Sequence, residues 1–328
     1  KFFTGFGHLK DDFTKHGICD MMIGNTQREE ISMSQNTKGM CFAVIGGTCW
    51  GLSGAMGKYL FDERQLTAVW LVTVRLLAAG ILMLALAWGK RKNGIFDVWK
   101  RKDSAVRQIV FCIFGMAACQ MSYFLAVQYS NPGTATVLQY LGPVLIMLFC
   151  LIRDRRLPKM LEIAVLVAVI AGVFLLATHG SPGNLAITEQ ALFWGLISAV
   201  TCAVYNIQPE KLLKEFGTLE TVGWGMLIGG ILAAPVTRVW EVPGAWDSMT
   251  FFTMAGVILI GTVIAFGCYL HGVALLGPVR GSLFGCVEPL AASVLSAAVL
   301  GQVFEMMDVA GMACIIIGVT ALAVFDKK

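Results

Sequence analysis

Residues 108–152 read QIVFCIFGMAACQMSYFLAVQYSNPGTATVLQYLGPVLIMLFCLI, and no Asp, Glu, Lys or Arg occurs from Gln108 to Ile152. This run is too long for one bilayer crossing, which takes about 20 residues at 1.5 Å per residue. Asn131-Pro132-Gly133 in its middle supplies a turn, so the stretch predicts two spans joined tightly, 108–128 and 132–152. Backbone polar groups in hydrocarbon must find partners within their own segment, so each span is expected to be helical.

Reading outward from this pair, eight further apolar runs give spans at 40–59, 68–88, 160–178, 190–208, 221–239, 250–270, 279–300 and 308–325. The composition agrees: 57% of the 328 residues are hydrophobic and 14% are charged. Soluble domains carry about 25% charged residues. The expectation is an all-α integral membrane protein with ten transmembrane helices. Residues 1–37 are polar and mixed in charge, and read as a disordered cytoplasmic tail. Nine of the ten cysteines lie inside apolar runs with no C-x-x-C, the pattern of free thiols used as small apolar side chains.

The net charge of +4 comes from short loops. Sixteen Lys and Arg fall on one side of the expected spans, in 89–107, 153–159, 209–220, at Arg280 and at the C-terminus, against Lys58, Arg64 and Arg238 on the other. The positive-inside rule then places both termini in the cytoplasm of a multi-pass plasma (inner) membrane protein. No nucleic-acid partner is implied, since orientation accounts for the basic residues.

Sliding the chain on itself by 146 positions pairs Tyr123 with Tyr269, Pro132 with Pro278, Pro143 with Pro289 and Gly172 with Gly318. A looser match pairs Cys49, Lys58 and Leu60 with Cys202, Lys211 and Leu213. The chain thus divides into two five-helix repeats, 38–180 and 188–328. Five is odd, so the second copy enters from the opposite side, giving the inverted topology that alternating access exploits.

Charges inside spans cost about 2.5–3.5 kcal/mol at the helix centre, so each needs a reason. Arg75 in span 2 and Glu288 in span 9 are the two deep ones. Two readings stand for Glu288: a substrate-facing or proton-coupling carboxylate, or half of a buried ion pair with Arg75. Pro143 and Pro289 within helices would free the carbonyls of Gln139 and Gly285 at matching heights, beside Gln139-Tyr140 and Cys286-Glu288. Trp50, Tyr123, Tyr205, Asn206 and Tyr269 are candidate cavity-lining groups, or helix–helix hydrogen-bonding and packing groups. The Gly47–Gly51, Gly225–Gly229 and Gly281–Gly285 spacings read as close helix packing.

Trp50-Gly51, Arg75, Asn131-Pro132-Gly133 with Pro143, and above all Val287-Glu288-Pro289-Leu290 resemble the EamA family of the drug/metabolite transporter superfamily. The resemblance covers residues 40–325. It departs at Arg153-Asp154-Arg155 and Leu300-Gly301-Gln302, where the family usually has Leu-Gly-Glu. It implies a carrier for a small metabolite, an amino acid or related compound, commonly exported, by alternating access. Protons are the simplest coupling ion, because no nucleotide-binding loop is visible. No cofactor or metal site is expected, and the oligomeric state is open. The alternatives are a multidrug or cation efflux carrier of the same superfamily and, in a different class, an intramembrane serine protease. For the protease, Gly51-Leu52-Ser53-Gly54 supplies Ser53 as nucleophile and His271 as base.

Overall fold

The computed structural model describes residues 11–153, 155–181, 186–276, 284 and 287–325. Residues 1–10 of the expected tail and residues 279–283, 285 and 286 of the expected ninth span lie outside the described residues, as does Pro278. Every regular element among the described residues is helical.

The order is α1 Asp11–Asp62, α2 Ala68–Arg91, a 3₁₀ segment Lys92–Trp99, α3 Lys102–Val110, a π-helical turn Phe111–Ala117 and α4 Ala118–Tyr129. There follow α5 Pro132–Gln139, α6 Gly142–Arg153, α7 Met160–Thr178, α8 Glu189–Ile207, α9 Glu210–Phe216 and α10 Thr218–Thr237. The chain closes with α11 Ser248–Ile258, a second π-helical turn Leu259–Ile264, α12 Ala265–Leu276, α13 Val287–Leu300 and α14 Met306–Phe325.

Eight helical stretches are long and apolar enough to cross a membrane, and two shorter apolar helices, Val287–Leu300 and Met306–Gly318, stand where the ninth and tenth spans were expected. Helix α1 runs back to Asp11, into the segment that composition marked as a disordered tail. The first proline of the chain is Pro132, so nothing of that kind interrupts the helix before the first span.

Local chemistry explains the breaks. Asn131 caps α5 by accepting from the Thr134 N–H at 2.9 Å, with Pro132 in the first helical position, where its missing N–H costs nothing. Thr188 caps α8 through the Ala191 N–H at 3.1 Å, and Asp247 caps α11 through the Thr250 N–H at 2.7 Å. The prolines expected to kink helix interiors sit elsewhere. Pro143 is the second residue of α6, just after the interruption at Tyr140-Leu141, so the chain there breaks and restarts instead of bending. Pro289 is the third residue of α13, and the Gly285 carbonyl it was expected to free lies outside the described residues. A first-turn proline loses no intrahelical bond, which makes the break the cheaper solution.

Helix packing follows small residues. α10 lies along α2, where a Cβ on Gly80 would come within 2.5 Å of the Leu227 backbone nitrogen. α14 lies along α7, with Gly172 and Gly311 each against the other's carbonyl. α1 packs on α12 and α13, and α8 packs on α4, α5 and α6. Such close approach is what joins helices in lipid, where apolar burial gives no net drive.

The N-termini of α7 and α14 share one device. Glu162 accepts from the Lys159 N–H at 2.7 Å, and Asp308 accepts from the Glu305 N–H at 3.0 Å, in the same position relative to each helix. Each carboxylate also takes a cation. Glu162 holds Arg156 at 2.6 and 2.9 Å, and Asp308 meets His179 Nε2 at 2.8 Å. His179 Nδ1 lies 3.2 Å from Glu305, so both ring nitrogens face carboxylates.

The hydrogen bond to Asp308, with the further charge of Glu305, raises the His179 pKa above its ordinary value. The folded chain therefore binds this proton more tightly than the unfolded one. The stabilisation is full below about pH 6.5 and fades as pH rises through the raised value. His179→Gln is expected to lower the unfolding temperature near about pH 5.5 by an amount equivalent to at most about 1 kcal/mol, and by less near about pH 9. Separately, Gly80→Ala is expected to cost about 1–3 kcal/mol by overpacking α2 against α10. Gly89→Ala, where nothing lies within 4 Å, should gain up to about 1 kcal/mol of helix propensity. Thermal unfolding in detergent reads both.

Candidate functional site

Arg75 is a buried charge held within the bundle. Its side chain is buried on α2, donating from Nε to Thr262 Oγ1 at 2.6 Å and from Nη2 to the Gly261 carbonyl at 3.2 Å. Its guanidinium stands 4.9 Å from the centroid of the Phe124 ring. Gly261 and Thr262 belong to the second π-helical turn, and Thr262 Oγ1 donates onward to the Val257 carbonyl at 3.1 Å. Widening the helix by one residue releases carbonyls from the regular ladder, and the arginine takes one of them. Among the described residues, no acceptor meets Nη1.

Glu288 lies in the first turn of α13, half-buried. Its carboxylate lies within Coulombic range of the Arg75 guanidinium and near the Tyr123 phenol. Among the described residues it makes neither a hydrogen bond nor an ion pair. The two deep charges are thus neighbours without contact, and the expected alternative of a closed Arg75–Glu288 ion pair is not what the side chains form.

Two aromatic groups lie in the same half of the core. Trp50 on α1 packs edge-on to Phe266 at 5.0 Å and tilted against Tyr269 at 4.8 Å. Tyr123 on α4 shares a hydrogen bond of 2.9 Å with Thr136 on α5, and its ring stands 5.2 Å from that of Phe124. Tyr123, Arg75 and Glu288, from α4, α2 and α13, are therefore neighbours, and Trp50 and Phe266, from α1 and α12, pack on the same core as Tyr123 and Phe124.

A second polar group sits on the α5–α8 side. Gln139 Nε2 donates to Ser198 Oγ at 2.7 Å and to Cys119 Sγ at 3.7 Å, and Ser122 bonds Thr201 at 3.1 Å. Tyr140 is half-buried at the α5–α6 break, where its N–H bonds the carbonyls of Thr136 and Val137. Tyr205 is half-buried and stacks on Phe111 at 5.8 Å, packed against the apolar core. Asn206 is exposed and donates back to the Cys202 carbonyl of its own helix at 2.7 Å, so it faces away from the group. The described cysteines are free thiols, and among the described residues no three His, Cys, Asp or Glu side chains converge as a metal site would require.

Ser53 and His271 are not brought together. Ser53 is buried against Gly261 with its hydroxyl unpartnered, while His271 is exposed, its ring 4.8 Å from that of Phe42. Phe42 and Ser53 stand about 16 Å apart along α1 at 1.5 Å per residue, so the serine–histidine geometry of a protease is absent from this pair. Thr262, Gly261, Phe124 and Ser198 were not among the residues singled out from sequence. Span position marked them no differently from other small or aromatic residues.

These helices and the polar cluster within them define a multi-pass membrane protein of the transporter class. The profile of the EamA-like transporter family matches twice, over residues 37–178 and 190–324, and the chain belongs to that family. An uncharacterised inner membrane transporter of Salmonella typhimurium, YicL, is 31% identical over 90% of this chain and 98% of its own. The uncharacterised transporter YcbK of Bacillus subtilis is 20% identical over 90% and 95%, and protein PecM of Dickeya dadantii is 24% identical over 88% and 94%. A solved structure described only as that of a protein aligns over 89% of this chain and 96% of its own, with TM-score 0.59 and 17% identity, a likeness of fold.

Thr262→Val removes the acceptor from Arg75 Nε and strands a buried charge donor. The expected cost is about 1.5–3 kcal/mol of stability, with Thr262→Ser close to wild type, as thermal unfolding of the purified chain would report.

Proposed function

We propose that this transporter is a secondary carrier in which two five-helix units, 38–180 and 188–328, of opposite topology expose a central site alternately to the two sides of the plasma membrane. The cargo is a small metabolite, an amino acid or related compound, moved outward. The observation that carries the reading is the unclosed pair: Arg75 Nη1 and the Glu288 carboxylate stand within electrostatic range, each without a partner among the described residues. A zwitterion placed between them satisfies both. A carboxylate on Arg75 and an ammonium on Glu288 replace the solvation that each charge gave up.

The repeat is supported by the element boundaries. At an offset of 146, α7 superposes on α14 at the first residue, and α4, α6 and both π-helical turns fall within two residues of α12, α13 and each other. The pairings exchange in the same way: α1 on α12 and α13 answers α8 on α4 and α6, while α2–α10 and α7–α14 pair each helix with its own counterpart. The Lys and Arg asymmetry of the loops supports termini in the cytoplasm.

Glu288 is the proton-coupling group of this reading. In proteoliposomes holding a pH-sensitive dye, a neutral amino acid is expected to move protons with wild-type protein and not with folded Glu288→Gln. A signal of equal size in the variant would remove Glu288 from the cycle. The aromatic wall of Trp50, Phe266 and Tyr269 favours a second reading, efflux of organic cations. In that case lipophilic cations, and no amino acid, would drive the signal.

A further inference from the structure

Consecutive helices α6 and α7 are joined by a short loop, yet each packs elsewhere, α6 along α8 and α7 along α14. Between them opens a groove of about 440 Å³, walled by α6 and α7 and floored by α8, and every residue that lines it is apolar. Leu145, Leu148, Val173, Leu196 and Val200 are among them. A space without polar lining does not hold water. Left empty, it forfeits the dispersion contacts of its walls. At this depth the remaining material is an acyl chain.

The end of the groove supplies the second half of a ligand. From Leu148, five residues or about 7.5 Å along α6 lead to Arg153 and the loop Arg153-Asp154-Arg155-Arg156-Leu157-Pro158-Lys159. Arg156 is bound to Glu162, and Arg153, Arg155 and Lys159 are exposed on the same loop. Beside them Ile152, Leu157 and Met160 are 79%, 89% and 85% exposed. Cationic and apolar side chains presented together suit the boundary between headgroups and acyl chains.

We propose that the α6–α7 groove binds one anionic phospholipid, with an acyl chain between the helices and its phosphate at Arg153, Arg155 and Lys159. The far end of the groove is Leu141, at the α5–α6 break. The lipid chain therefore fills the space beside the one point where span 4 lacks a continuous ladder.

The test is native mass spectrometry of the full chain, released from vesicles of equal phosphatidylcholine and phosphatidylglycerol. The expected result is one retained phosphatidylglycerol per chain, preferred roughly tenfold or more over phosphatidylcholine. Val200→Trp fills the groove and should abolish retention. Ile170→Trp does the same from an exposed lining position, in case the first variant does not fold. Arg155→Gln with Lys159→Gln should retain a lipid but bring the preference close to unity. Equal retention of the two lipids by wild type, or unchanged retention in a folded tryptophan variant, overturns the proposal. So does inorganic phosphate in phosphatidylcholine vesicles raising the unfolding temperature as much as phosphatidylglycerol does, since the loop alone would then be the site.

Discussion

In hydrocarbon every backbone donor and acceptor must be satisfied by the chain itself, and the rest of this structure is arranged around the few places where that ladder opens. One is the π-helical turn Leu259–Ile264, where Gly261 and Thr262 receive Arg75. The arginine needs acceptors as much as the turn needs a donor. Two charge-assisted bonds at about 1.5–3 kcal/mol each offset the roughly 2.5–3.5 kcal/mol that a buried charge costs in a span. The contact with Phe124 adds a cation–π share. A bulge that looks like a defect in α11–α12 is thus what allows a cation to stand in the middle of the bundle.

The corresponding turn in the other half, Phe111–Ala117, has the same backbone and a different filling. Gly225 of α10 packs on Phe111 and Met116, and Phe111 stacks on Tyr205. Where one turn receives a guanidinium, the other receives aromatic and thioether side chains. Backbone likeness with chemical difference suits the carrier proposed above. In that proposal the scaffold rocks about a common axis, while cargo meets one set of charges, Arg75 and Glu288, in both orientations. Gln139–Ser198, on the α5–α8 side, is a neutral pair already closed on itself.

How far the sequence could be read follows from what each property averages over. Span positions rest on about 20 residues of hydropathy, and single residues do not disturb them, so 68–88 and 160–178 agree with Ala68–Lys90 and Met160–Thr178. The proposed register of 146 rests on prolines and glycines, residue types that mark breaks and close approaches. What stayed hidden depends on one residue's direction. Asn206 and Ser198 are both polar and on α8, yet one turns back to Cys202 while the other meets Gln139. The π-helical turns left no mark in composition. Pro132 and Pro143 mark real interruptions, but whether the chain bends or restarts at Pro143 is decided by Tyr140 and Leu141 bonding back into the last turn of α5.

The capping carboxylates show how two equivalent helix ends can be tied differently. Glu162 at the start of α7 is held by Arg156, a permanent cation from the loop just before the same helix. Asp308, the matching residue of α14, is held by His179, which closes α7 on the opposite face. The first tie lies within one half of the chain and leaves its face free to part from the other half. The second joins α7 to α14 directly and through a group that loses its charge as pH rises. Since α7 and α14 already touch at Gly172 and Gly311, the bond at His179 adds a clamp at one end of an existing seam. In the proposed alternating-access cycle, relative motion of the two units along this pair is therefore resisted more on the Lys- and Arg-poor face than on the rich one. The strength of that resistance follows the proton activity on the side where His179 lies.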